Sequence, residues 1–346
     1  MQIFSIRKRT RHLNKLVHII LLFLLHDATA QSGYIMTVNG KLEPSDSLLV
    51  LPHEHVVTNF AGADKIVRIP YIPDPALNVV LPHLMKLKQS GINLLVECTP
   101  EFIGRDVTLL KKLSLESGVS IVTNTGFYAA AEKKYLPAYI PSLSAESIAY
   151  AWQNEFDNGI GGTDIRPGFI KLGVDKGPLD STELKLLKAA IIVSRKTGLP
   201  IAVHSGDGVA AADELRYCIS EGLAADKLIW VHAQNGTDEE RKKLAEAGVW
   251  ISLDGVNENN VAEYTKYVLY LKENSLLSRL LLSHDDGWSV DSNGSYDKLS
   301  LFKNGNSQPY QAIGEKLVPM LFTMGFTADE LHQVRSVNPQ KAFAIR

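Results

Sequence analysis

Short runs rich in Val, Ile and Leu recur eight times along this chain, and each is followed by a stretch with amphipathic helical spacing. The runs are LLVLPHEH, INLLVECT, VSIVTNTG, GFIKLGV, PIAVHSG, LIWVHA, VWISLDG and RLLLSHDD. Near-continuous apolar runs of this length suit parallel strands buried on both faces. The segments between them, STELKLLKAAIIVSRKTG for example, end in a glycine just before the next run (Gly91, Gly118, Gly198, Gly248), where a helix C-terminus is expected. Eight successive β-then-α units predict an α/β fold, a (β/α)8 TIM barrel. A doubly wound open sheet is the alternative, but no Gly-x-Gly-x-x-Gly turn supports it. Ahead of the first unit, GYIMTVNGKLEP reads as a short N-terminal β-hairpin turning at Asn39-Gly40.

The first 30 residues do not belong to that pattern. RKRTRHLNK is a basic run, LVHIILLFLL is apolar but too short to span a bilayer, and ATA ends in the small-x-small form of a cleavage site after Ala30. Residues 1–30 therefore read as a signal peptide, with an uncleaved anchor or a buried helix as the alternatives. Residues 31–346 form the barrel domain, in a periplasmic or secreted protein that has no membrane attachment once cleaved. The formal net charge of −2 gives no electrostatic footprint for nucleic acid. Two cysteines, Cys98 and Cys218, sit in segments that read as internal, and both are expected as free, buried thiols.

Active-site residues of such barrels come from the C-terminal ends of the strands. The first run ends in His53 and His55, which face the same way on a strand while Glu54 faces the other. Glu54 is expected on the barrel exterior, paired with a helix or an N-terminal group. The fourth run carries Lys171, the fifth ends in His204, the sixth in His232, and the eighth in Asp285 and Asp286. Each has an ordinary reading: a satisfied core histidine, a capping aspartate. Lys171 is the exception, because a charged lysine is almost never fully buried unless paired. Four of the ten histidines at matched strand ends, together with a lysine and an aspartate, point to a metal centre. His83 and His332 read as solvated helix positions, and alternation turns His284 away from the mouth.

These motifs, with TVNG…LPHEHV, GINLLVECTPEFIGRDVTLL, TNTGFY, GFIKLGVD, GLPIAVHSG, LIWVHAQN, SHDDGW and the closing LVPMLFTMGFTADELHQVRSVNPQKAF, resemble the phosphotriesterase family of the amidohydrolase superfamily, which includes lactonases. The resemblance implies two divalent metal ions, usually zinc, with manganese, cobalt or iron as alternatives. It places His53, His55 and Asp285 on the inner ion and His204 and His232 on the outer, with Lys171 bridging both as a CO2-derived carbamate. Asp285 would also accept the proton of the attacking water. Members are often homodimers.

The chain departs from the phosphotriesterase pattern in its proton path. Gly255 stands where that pattern has a histidine, and Asn235 where it has an aspartate. The lactonase branch tends to carry an arginine at the position of Gly255, which is also missing, but it shares an aromatic residue after the third strand, supplied here by Tyr128. Tyr128 reads either as a substrate-positioning phenol or as a packing residue, and Trp288 either as a wall of the pocket or as an anchor for the long loop after strand eight. Arg105 and Asp106 read as structural, and Asp254 as a support for Asp285. The expected activity is hydrolysis of a small ester, a lactone or other carboxylic ester ahead of a phosphotriester. The alternatives are an amide or sugar-linked ester at the same site, or a barrel that keeps metal without catalysis.

Overall fold

All eight apolar runs form strands. In the computed structural model, which describes residues 33–66, 74–290 and 298–346, the barrel strands are Leu49–Glu54, Ile92–Glu97, a third in two pieces (Ser120–Val122 and Asn124–Thr125), Phe169–Val174, Ile201–Ser205, Leu228–Val231, Trp250–Asp254 and Leu280–Ser283. They are numbered here as the first to eighth strands. Neighbours pair in parallel in chain order, with the third strand interrupted at Thr123. The eighth meets the first: Ser283 Oγ accepts from His53 N at 3.0 Å, Asp285 N donates to His53 O at 3.3 Å, and His55 N donates to Asp286 O at 2.8 Å. That seam closes the sheet into a barrel, which leaves no open edge.

The connecting helices start where caps dictate. Asp106 accepts from Thr108 N and Leu109 N at the head of Val107–Ser117, and Asp180 with Glu183 forms a capping box at the head of Ser181–Thr197. Gly118 and Gly198 close those two helices. The Arg105 side chain is buried and forks onto Glu155 at 2.6 and 3.0 Å, so Arg105 and the capping Asp106 both have structural partners.

The N-terminal hairpin is present, Ile35–Thr37 against Gly40–Leu42, but its two-residue turn is Val38-Asn39, with Gly40 opening the second strand. Ile35 joins a buried apolar cluster with Val50, Leu94, Val122, Phe169 and Leu281 from the barrel strands and Phe343 from the end of the last helix, so the hairpin plugs the end of the barrel opposite the strand termini. Cys98 and Cys218 are free and buried. The expected signal segment, residues 1–30, lies outside the described residues; among those, no helix is long and apolar enough to cross a membrane.

Candidate metal centre

The strand ends bring the six expected side chains together. His53 Nε2 and His55 Nε2 lie 3.3 and 3.1 Å from Asp285 Oδ1, and His232 Nε2 lies 4.0 Å from Asp285 Oδ2. The imidazoles form a chain: His55 to His53 at 5.4 Å between ring centres, His53 to His232 at 5.0 Å, His232 to His204 at 4.4 Å. Ligand atoms of His53, His55 and Asp285 all fall within 4.8 Å of one another. His232 and Asp285 both adopt left-handed backbone, φ 62 and 58. For residues other than glycine this costs about 1–2 kcal/mol each, and such strain persists where the surroundings over-determine it.

Lys171 decides what this cluster is for. It is 2 % exposed, and its Nζ finds no hydrogen-bond acceptor among the described residues. Burial lowers its pKa from the usual lysine range, an effect that nearby anions oppose without cancelling. A desolvated amine without a partner is a poor structural residue, and the donor set around it fits a metal pair. Burial lowers the pKa of His55 and His204 and brings His232 down to about 4, so these imidazoles are neutral, as ligation requires. His53 is the exception. Burial and Lys171 pull it down, but Asp254 and Asp285 outweigh them and hold it at about 9. Two carboxylates flanking a buried imidazole, Asp254 at 3.4 Å and Asp285 at 3.3 Å, mark a place suited to a cation.

Supporting residues fix the ring orientations. Thr99 Oγ1 is 2.8 Å from His55 Nδ1, and Thr99 N donates to Glu97, whose own pKa burial pushes up to about 7. Asp254 supports the shell around Asp285 through the histidines: its Oδ2 accepts from His232 N at 3.0 Å and lies 3.4 Å from Nδ1 of His53, whose Nε2 faces Asp285. Glu54 does face away from the mouth, but its partners are on the eighth strand and just beyond, not on a helix or an N-terminal group. It accepts from Ser283 Oγ, His284 N, His284 Nδ1 and Asp286 N, all within 3.0 Å. His284, turned outward as expected, passes the connection on by accepting from Ile313 N.

Of the two aromatic candidates, the structure brings one to the cluster. The Tyr128 ring lies 5.1 Å from His204. It packs over Gly173, where a Cβ would stand 2.4 Å from the ring, so only glycine leaves it room. Trp288 is 3 % exposed and packs on Tyr310 and on His83, which is thereby half-buried instead of solvated. This placement suits the anchoring role. Trp288→Ala is expected to cost about 3–5 kcal/mol of stability while leaving KM at its wild-type value; thermal melts alongside steady-state kinetics decide it, and a raised KM at unchanged Tm would return Trp288 to the pocket.

Sequence reasoning missed three groups at the mouth. Phe302, from the loop after strand eight, lies 5.7 Å from His55; Phe60, 44 % exposed, lies 5.6 Å from Phe302 and 6.3 Å from Tyr135. Tyr135 in turn meets Tyr128 at 5.8 Å, so an arch of four aromatic rings joins one end of the histidine chain to the other. Asp286, buried, anchors that loop by accepting from Asn306 Nδ2 and Tyr310 N. Gly255 has φ 113, and a Cβ there would stand 2.9 Å from the Tyr264 hydroxyl, which donates to Asp254 O. Tyr264 thus fills the space a side chain at position 255 would need.

The model of the phosphotriesterase family matches residues 33–343. The chain is 24% identical to the aryldialkylphosphatase of Saccharolobus solfataricus over 88% of this chain and 97% of that one. It is also 24% identical to human (Homo sapiens) N-acetyltaurine hydrolase, over 90% of this chain and 97% of that one. Among solved structures, an organophosphorus hydrolase from Deinococcus radiodurans superposes with a TM-score of 0.80 at 26% identity, covering 90% of this chain and 97% of that one.

Proposed function

The chain belongs to the phosphotriesterase family, and on that premise we propose that it is a binuclear metal-dependent hydrolase of a small carboxylic ester, a lactone foremost. The observation that carries this reading is the buried Lys171 amine, without a hydrogen-bond partner among the described residues, set among four histidines and Asp285. His53, His55 and Asp285 would hold the inner ion and His204 and His232 the outer. In its neutral form, which burial favours, the Lys171 amine would add to CO2 and lose a proton, giving a carbamate able to reach both. Two divalent ions, zinc foremost, would supply Lewis acidity and a water acidic enough to attack near neutral pH.

The protein's own part is positioning and proton transfer. Asp285 Oδ1 faces His53 and His55, while its Oδ2 points toward His232 on a side chain that is 33 % exposed. Oδ2 is the oxygen left to take the proton of the attacking water, on a side chain open enough to pass it on. The Tyr128 phenol, beside His204, is placed to donate to a carbonyl oxygen. Gly255 and Asn235 leave no titratable side chain beyond Asp285 for the relay that the phosphotriesterase pattern carries, which counts against a phosphotriester as the preferred substrate. An amide is the second reading, favoured by the relative named N-acetyltaurine hydrolase. We also propose that residues 1–30 are a signal peptide directing export from the cytoplasm, a reading supported by their basic and apolar runs.

Zinc- and manganese-loaded protein should be screened on lactones, aryl esters, N-acyl amides and phosphotriesters. The expected result is a kcat/KM on the best carboxylic ester at least about 100-fold above that on any phosphotriester. A preference for phosphotriesters refutes the ester reading, and two bound metals with no turnover on any class refute the enzyme.

A further inference from the structure

The loop after the third strand carries Tyr128 and Tyr135 to the mouth, and between them it does something costly. Ala131, Glu132 and Lys133 are three consecutive residues in left-handed backbone, φ 58, 54 and 64, none of them glycine. L-residues visit this region singly, and a run of three needs an external template. The template is the loop that leaves the fourth strand, the strand bearing Lys171. Asp175 Oδ1 accepts from Ala131 N at 2.8 Å, and its Oδ2 accepts from Glu132 N at 3.2 Å. Just before them, Ala129 N and Ala130 N both donate to Gly173 O, at 2.9 and 3.0 Å. Just after, Lys133 Nζ pairs with Asp180 at 2.5 Å. Glu183 holds the template itself, accepting from Asp175 N and Asp180 N at 2.8 Å each.

We propose that Asp175 is a positioning residue for the reaction: its carboxylate clamps the left-handed turn and so sets Tyr128 against His204 and Tyr135 beneath Phe60. The two oxygens satisfy two successive N–H groups that no helix or strand would otherwise use, and a carboxylate binding such a concavity of amides is a strong, charge-assisted contact. Gly173 is the pivot of the arrangement, since it accepts from the turn through its carbonyl and leaves room above its Cα for the Tyr128 ring. Asp175 is four residues from Lys171 and is not itself in the cluster, so losing it should loosen the phenol without emptying the centre.

The test uses the metal-loaded protein and the variants Asp175→Ala and Asp175→Asn. Amide hydrogen exchange over residues 129–135 should accelerate roughly tenfold or more in Asp175→Ala, and less in Asp175→Asn, which keeps one acceptor oxygen. On the best ester of the screen, KM should rise about tenfold in Asp175→Ala with a smaller fall in kcat. Bound metal should stay at the wild-type level, and Asp175→Asn should recover part of the KM. Unchanged exchange overturns the proposal, and so does accelerated exchange with wild-type KM. The kinetic arm rests on the hydrolase reading. If the wild type turns over nothing, that reading fails, and the exchange result alone decides whether Asp175 holds the turn.

Discussion

Lys171→Met should remove turnover while leaving the fold at least as stable as before. The side chain is 2 % exposed and its amine has no acceptor among the described residues, so in the metal-free protein it contributes a desolvation cost and no hydrogen bond to them. Methionine matches its length, fills the same volume and has no donor to satisfy. The Tm of metal-free Lys171→Met is therefore expected to equal or exceed that of the metal-free wild type. Activity should go the other way. Metal ions contribute several kcal/mol of transition-state stabilisation, and at about 1.4 kcal/mol per factor of ten the loss of the bridging ligand should lower kcat by roughly 10³-fold or more. Metal content per chain should fall with it. Stability maintained and activity lost is the signature of a residue retained for chemistry at the expense of packing. A variant with wild-type kcat and two bound metals would remove Lys171 from the centre.

How much of this was legible in the sequence depends on where the determining contacts lie. The eight strands were legible because a strand buried on both faces needs apolar residues at every position, and that demand is written locally. The break in the third strand at Thr123 was not, since VSIVTNT has no proline or glycine to mark it. The ligand candidates were legible for a geometric reason: a side chain at the C-terminal end of an inward-facing strand position must reach the mouth, whatever the loops do. Phe60, Phe302 and Asp175 act through loops that fold back over the barrel, and nothing in their local sequence states which strand end they meet. Trp288 shows the same limit from the other side. Its position three residues after Asp285 left pocket wall and anchor equally open, and only its contacts with His83 and Tyr310 separate them. Glu54 was placed on the correct face by alternation, but its partner was set by the closure of strand one onto strand eight, a pairing across more than two hundred residues.

Asp285→Asn should keep the architecture and lose the proton acceptor. Asparagine tolerates left-handed backbone as well as aspartate does, so the φ of 58 adds no new strain. The Oδ1 position can remain an acceptor facing His53 and His55, and partial metal retention is expected. What disappears is the charge. Burial pushes the Asp285 carboxyl up, but the hydrogen bonds from His53 and His55 outweigh it and hold the group well below the usual carboxylate range. The native side chain is thus an ionised carboxylate with a free acceptor for a proton released in the reaction, which a neutral amide does not offer. General-base assistance is worth roughly 10²–10⁴-fold, and kcat should fall within that range while KM moves little, because the interaction lost is one made in the transition state. Metal content must be measured on the same preparation, to separate loss of a ligand from loss of a base. A near-wild-type kcat in metal-replete Asp285→Asn would show that the proton leaves by another route. Because Gly255 and Asn235 offer no titratable side chain for such a route, that outcome would move the search to the Tyr128 phenol beside His204.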